Sequence, residues 1–201
     1  MIAPGLVKIQ GHIKIFDPNT GEIFEDKDNA IHYENMSISL AETLAHRDQG
    51  WIYQMAFGNG GSSVDPTGVI TYLPPNTSGQ NADLYNQTYA KVVDDNSAAD
   101  TDPAHNKMTV THTSGKVYTD ILVSCLLDYG EPAGQQAFDN STNFNGEYVF
   151  DELGLKAWAG SADDLRLITH VVFHPVQKSL NRQIQIDYTV RIQTLTNLST
   201  A

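Results

Sequence analysis

The sequence predicts a mainly β protein, an antiparallel β-sandwich-like domain with one amphipathic helix and long polar loops. Three observations carry that expectation. Apolar and polar residues alternate with period two near both ends of the chain, turn-forming residues separate the alternating runs, and one stretch alone has helical spacing.

Residues 6 to 16, "LVKIQGHIKIF", set Val7, Ile9, Ile13 and Ile15 against Lys8, Gln10, His12 and Lys14. Such alternation marks a half-buried strand. "DPNTGE" supplies a turn, and "EIFEDK" is the return strand of a hairpin. Met36, Leu40 and Leu44 then recur every four residues, flanked by Ala41 and Ala45. This is the expected helix, with Asn35 or the Ser39–Glu42 capping box at its start and Gly50 at its end.

"WIYQMAF" follows as a strand with Trp51, Tyr53, Met55 and Phe57 on one face. "GVITYL" is another, ended by Pro74 and Pro75. Residues 76 to 106 are polar and form a long loop insertion, with "YAKVV" as a short strand inside it. "KMTVTHT" and "VYTDILVSCLLD" make a hairpin around "SGK", the second strand being apolar on both faces and so central. "EYVFDELGL" is a short strand, "KAWAGSADD" a turn, and "LRLITHVVFH" a strand that Pro175 stops. "RQIQIDYTVRIQTL" turns Ile184, Ile186, Tyr188, Val190 and Ile192 inward. The expected total is about eight to ten strands in a single domain over residues 1–201.

The chain has 201 residues, enough for roughly 70% of the unfolded surface to be buried without disulfide or metal. Its formal net charge of −12 repels phosphate backbones and anionic lipid. No specific nucleic acid and no membrane partner is therefore expected. The lone cysteine, Cys125, sits in an apolar run and reads as a small core residue. The opening strand pattern leaves no signal peptide to be expected.

Chemical motifs are few. "AFGNGGSSVD" places Gly58, Gly60 and Gly61 after an apolar strand, where phosphate cradles often lie. No lysine follows as a P-loop requires, and no helix opens to hold an anion. The three glycines therefore read as a structural turn that permits positive φ or close backbone approach. His170 and His174 have chelating spacing for a helix, but they stand in a strand. There they lie roughly 13 Å apart at about 3.3 Å per residue, too far for one zinc ion, and read as partly exposed. Asp94, Asp95, Asp100 and Asp102 crowd the long loop without the order of a calcium loop. Asp151 and Glu152 are adjacent and should face opposite ways on a strand, and His112 has no nucleophile beside it. No catalytic residue, metal ligand or cofactor is expected, and the chain reads as no enzyme.

Several segments together resemble virion structural proteins of tailed bacteriophages, of the neck, tail and baseplate. "GHIKIFDPNTGEIFEDKDNAIHYENMSISLAETLA" is similar to their opening, in which a strand, a "TGE" hairpin and an "NAIH" stretch lead into a helix. "MAFGNGG" resembles the segment that follows. "VFDELGL" and "LITHVVFHPVQKSLNRQIQIDYTVRI" resemble their closing turn and final two strands. About 120 of the 201 residues are covered. The resemblance implies a structural component without chemistry, assembled in the host cytoplasm into the virion. It implies a homo-oligomer, a ring or trimer, that contacts other virion proteins. A second expectation is a carbohydrate- or receptor-binding β-sandwich module of a tail fibre. Tyr85, Tyr89, Phe144 and Trp158 are its candidate interaction residues, because aromatic rings stack on sugars.

Overall fold

The computed structural model describes residues 6–132 and 147–195. Among these the order is β1 (Leu6–Phe16), β2 (Ile23–Ile31), α1 (Tyr33–Leu44), β3 (Ile52–Gly58), β4 (Ser62–Val64), β5 (Ile70–Tyr72), β6 (Gln87–Val92), β7 (Lys107–His112), β8 (Tyr118–Leu127), β9 (Glu147–Ser161), β10 (Asp164–Leu167), β11 (Thr169–Ser179) and β12 (Ile184–Leu195). The protein is mainly β with one helix, and its antiparallel sheet curls into a sandwich-like arrangement. The twelve strands exceed the expected number because β4 and β10 are short.

The main sheet runs β6-β3-β9-β11-β2-β1-β12-β8-β7, with β10 beside β9, while β4 and β5 form a separate hairpin. Its two halves are joined narrowly: β11 and β2 share only the pairs Thr169–Ile31 and His170–Ala30. Side chains from both halves fill one core. Met55, Phe57, Phe150 and Phe173 come from one side; Ile13, Val123, Ile186 and Tyr188 come from the other. Phe150 meets Phe57 and Phe173 edge-on, with centroids 5.4 and 5.7 Å apart, a favoured aromatic geometry.

The alternation of β12 is realised, with Ile184, Ile186, Tyr188 and Val190 buried. In β1, Ile9, Ile13 and Ile15 are buried, but Val7 lies past the core and is exposed. β8 is one strand from the end of the sheet, not central. It buries Cys125, whose thiol burial pushes up to about 12.

The helix is shorter than expected and differently capped. His32 is its N-cap, accepting the Asn35 amide on Nδ1 (3.2 Å), while Nε2 donates to the Gly79 carbonyl (2.9 Å). Asn35 lies within the first turn and donates to Leu167 O and Gln80 O. Met36 is buried, but Leu44 is exposed, because only the first turns pack on the sheet. Gly50 lies beyond the helix end, packed against Ser39 O with φ of 95°.

Two strand boundaries also move. β9 continues through "KAWAGS", so the expected turn falls later. Pro175 does not stop β11; the strand passes through it in a bulge. Between the pairs Val172–Glu152 and Val176–Phe150, β11 advances by more residues than β9. A bulge admits proline because it needs no ladder donor there. It also reverses the inward parity. Val171 and Phe173 face the core before it, and Val176 faces the core after it. Lys178, two residues further on, shares the inward parity and is 1% exposed. Its Nζ donates to Ser179 O (2.9 Å), and burial lowers its pKa from 10.5 to about 8.

The folded state thus disfavours the charged form of Lys178. Between pH 8 and 10.5 the unfolded chain holds the proton more tightly, so stability rises with pH across that window. Lys178→Met should raise stability at pH 7 by about 1–3 kcal/mol and flatten that rise. Urea unfolding of both proteins from pH 7 to 10.5 measures both effects.

Candidate functional site

The glycine stretch does receive anions, and they are the protein's own. Phe150 and Leu153 both face the core, so the alternation of β9 slips at the two residues between them. Asp151 and Glu152 consequently do not diverge as expected; one loop takes both. Gly61 N donates to Asp151 Oδ1 (3.0 Å) and Ser62 N to Oδ2 (2.8 Å), joined by the Ser62 hydroxyl. Gly60 N donates to Glu152 Oε1 (3.0 Å). Successive backbone amides make such a concavity for negative charge.

Glu152 is fully buried and gathers two more segments. Tyr85 N reaches Oε2 (2.9 Å), Asn86 N reaches Oε1 (2.8 Å), and His170 Nε2 reaches Oε2 (3.0 Å). His170 Nδ1 accepts from Asn76 N (2.7 Å), so its proton stands on Nε2 and donates to Glu152. His170 is therefore fully buried, whereas His174 is exposed and bonds Tyr72. Burial opposes the charge on Glu152, but the His170 bond and the three amides outweigh it and hold its pKa below 4.5. For Asp151 burial prevails over its bonds to Ser62 and Gly61, and the pKa is raised.

The glycines serve close approach. A Cβ on Gly60 would lie 2.7 Å from Tyr85 Cβ and 2.8 Å from Asn86 N. One on Gly61 would lie 2.8 Å from Val172 Cγ1, and one on Gly58 would lie 2.5 Å from Glu152 Oε1. None of the three has positive φ.

The acidic loop is stapled by a lysine. Lys91 Nζ, buried, donates to Asp102 Oδ2 (3.0 Å), Glu131 Oε2 (2.8 Å) and Leu126 O (2.7 Å). Asp95 Oδ2 accepts Met108 N (3.0 Å), and Asp100 Oδ1 accepts Asn106 Nδ2 (2.8 Å). The segment between β6 and β7 thereby bridges the two ends of the strand order.

Among the described residues, the expected interaction residue Trp158 lines a recess. β3 bulges at Tyr53, between the pairs Ile52–Ala157 and Gln54–Lys156. Ile52 keeps its place in the core with Met55 and Phe57, while Trp51 and Tyr53 join Trp158. The indoles stack at 6.0 Å and 13°, and Tyr53 tilts onto Trp158 at 4.7 Å. With Asp94, Asn96, Ser97 and Met108 they line an open groove of about 650 Å³. Tyr85 is exposed and ties its hydroxyl to Pro74 O (2.6 Å). Tyr89 lies in β6 and packs on Phe57 at the core edge. Phe144 lies outside the described residues.

Comparison of the chain with protein-family models, characterised proteins and solved structures gives no match. Among the described residues no helix is long and apolar enough to cross a membrane.

Glu152→Gln places an amide donor against amide and imidazole donors, so stability should fall by about 3–5 kcal/mol. The wild-type contribution of Glu152 is complete above pH 4.5 and disappears as acid protonates it below that value. Asp151, with its raised pKa, contributes in the opposite sense. Urea midpoints between pH 3 and 7 should therefore show a shallower acid limb in Glu152→Gln. Gly60→Val should lose about 2–3 kcal/mol by overpacking, read in the same titration at pH 7.

Proposed function

We propose that this protein is a non-enzymatic structural component of a tailed phage virion, of the neck or collar, tail or baseplate. It assembles as a homo-oligomer and contacts other virion proteins. The joint order of the resembling segments supports this reading. The structural observation that supports it is the β4–β5 hairpin. Val64, Val69, Tyr72 and Leu73 are exposed on or beside it, and so many exposed apolar side chains on one short element suit an interaction surface. The hairpin is anchored at its base, where Asp151 holds Gly61 and Ser62. An apolar arm on a fixed base suits a contact with a neighbouring subunit.

Sedimentation of the purified chain should give a discrete ring or trimer. Replacing residues 63–71 by a short Gly-Ser turn should dissociate it while leaving the circular dichroism spectrum β-rich. A wild-type chain that stays monomeric and never appears in purified particles would refute the reading.

The aromatic groove favours a second reading, a carbohydrate-binding module. Flat indole faces beside Asp94 and Asn96 match a sugar's apolar face and hydroxyl rim. Glycan-array binding should then appear with wild type and vanish with Trp158→Ala.

A further inference from the structure

β7 ends the strand order and is paired along one side, by β8. From Thr109 to Val117 every residue is exposed. Met108 N turns away from β8 to Asp95 Oδ2 (3.0 Å), and antiparallel pairing alternates inward and outward backbone groups. The outward groups are therefore those of Met108, Val110 and His112. Asp95 closes the Met108 amide, while the backbone amides and carbonyls of Val110 and His112 make no hydrogen bond among the described residues. Proteins ordinarily blunt such an edge with proline, a bulge or a charge. β7 has no proline, no acid and no register shift against β8, and its lysine, Lys107, stands at the end that Asp95 closes.

The edge is complementary to itself. A two-fold axis at Thr111 sets Val110 opposite His112 of a second copy, Thr109 opposite Thr113, and Thr111 opposite itself. Val110 N–H then donates to the His112 carbonyl of the second copy, and His112 N–H to its Val110 carbonyl, each bond made again by symmetry. The free amides and carbonyls of Val110 and His112 are all used, and the Asp95 cap is kept. The threonines line one face, where cross-strand threonine pairs are favoured. Charge is complementary as well. Residues 103–119 contain Lys107 and Lys116 and no acid, in a chain of net charge −12. Antiparallel pairing carries the tip with Lys116 to the base of the other arm, where Asp95 and Asp100 hold Met108 N and Asn106.

We infer that β7 is a self-association edge, joining two copies of this chain in an antiparallel ladder centred on Thr111. This surface is separate from the β4–β5 hairpin and does not depend on the virion reading.

Cysteine cross-linking of the full chain tests the register. Thr111 falls at a non-hydrogen-bonded pair, where Cα atoms lie about 4.5 Å apart, within disulfide reach, and the native Cys125 is fully buried. Under mild oxidation Thr111→Cys should run as a covalent dimer on a non-reducing gel, whereas Thr109→Cys, set opposite Thr113, should not. Val110→Pro removes an outward donor and spares the ladder with β8. In sedimentation it should roughly halve the mass of the wild-type species with an unchanged circular dichroism spectrum. Lys116→Glu, at the exposed tip, should weaken the pairing several-fold at low salt and less at high salt, and it serves should the proline variant misfold. Absence of the Thr111→Cys cross-link, or equal cross-linking of Thr109→Cys, overturns the inference. A wild-type monomer leaves the edge to a strand of another protein and refutes self-pairing. A ring or trimer that keeps its mass in both Val110→Pro and Lys116→Glu refutes this pairing while the assembly reading stands.

Discussion

The buried carboxylate of Glu152 is the constraint around which one half of the protein is arranged. A charge removed from water must be met by donors, or folding is heavily penalised. Four donors meet it here: the amides of Gly60, Tyr85 and Asn86, and the His170 ring. They come from three parts of the chain far apart in sequence. Each can reach the carboxylate only if its own backbone is held in place, so one side chain sets the path of three segments. His170 extends the network to Asn76, the first residue of the long polar segment. His170 also stands in the two-pair ladder that joins the halves of the sheet. The polar network and the narrowest point of the sheet therefore coincide.

Charge pairing separates Lys91 from Lys178, two of the three lysines buried among the described residues. Lys91 is met by Asp102, Glu131 and a carbonyl, and its pKa stays above 10.5 although burial works against the charge. Lys178 has the Ser179 carbonyl, and its pKa falls to about 8. The acids of the loop from 94 to 102 thus act as an anchor for a chain segment, bonding to Lys91, His105, Asn106 and the Met108 amide. That anchoring draws the ends of the sheet together, beside two recesses that share Trp51, Asn96 and Met108.

Much of the architecture was legible because local patterns and tertiary burial agree. The period-two runs of β1 and β12, the hairpin of β7 and β8, and the core place of Cys125 follow from apolar spacing alone. The misreadings cluster where a strand changes parity. Pro175 reads as a stop, yet a bulge carries β11 past it and turns Lys178 inward. Asp151 and Glu152 read as divergent, yet β9 slips between Phe150 and Leu153 and offers both to one loop. Trp51 and Tyr53 read as sharing one face of β3 with Met55 and Phe57, yet the bulge at Tyr53 gives them to Trp158. No local signal marks a bulge in these stretches, because it arises from pairing with a partner strand. The helix start shows the same limit: His32 caps it, and its ring is oriented by the distant Gly79 carbonyl.

The glycines of "GNGG" divide the two sources of information. The sequence by itself determined that residues 58 to 61 lack the lysine and the following helix of a P-loop or dinucleotide turn. It also determined a mainly β chain with one helix, because alternation and turn residues are local properties of the chain. Only the tertiary structure decided what the glycine amides face. Two internal carboxylates from a strand some 90 residues away fill the concavity, and the absent Cβ atoms leave room for Tyr85, Asn86 and Val172. Such contacts depend on which strands pair and in which register, and that is settled by burial of the whole core at once.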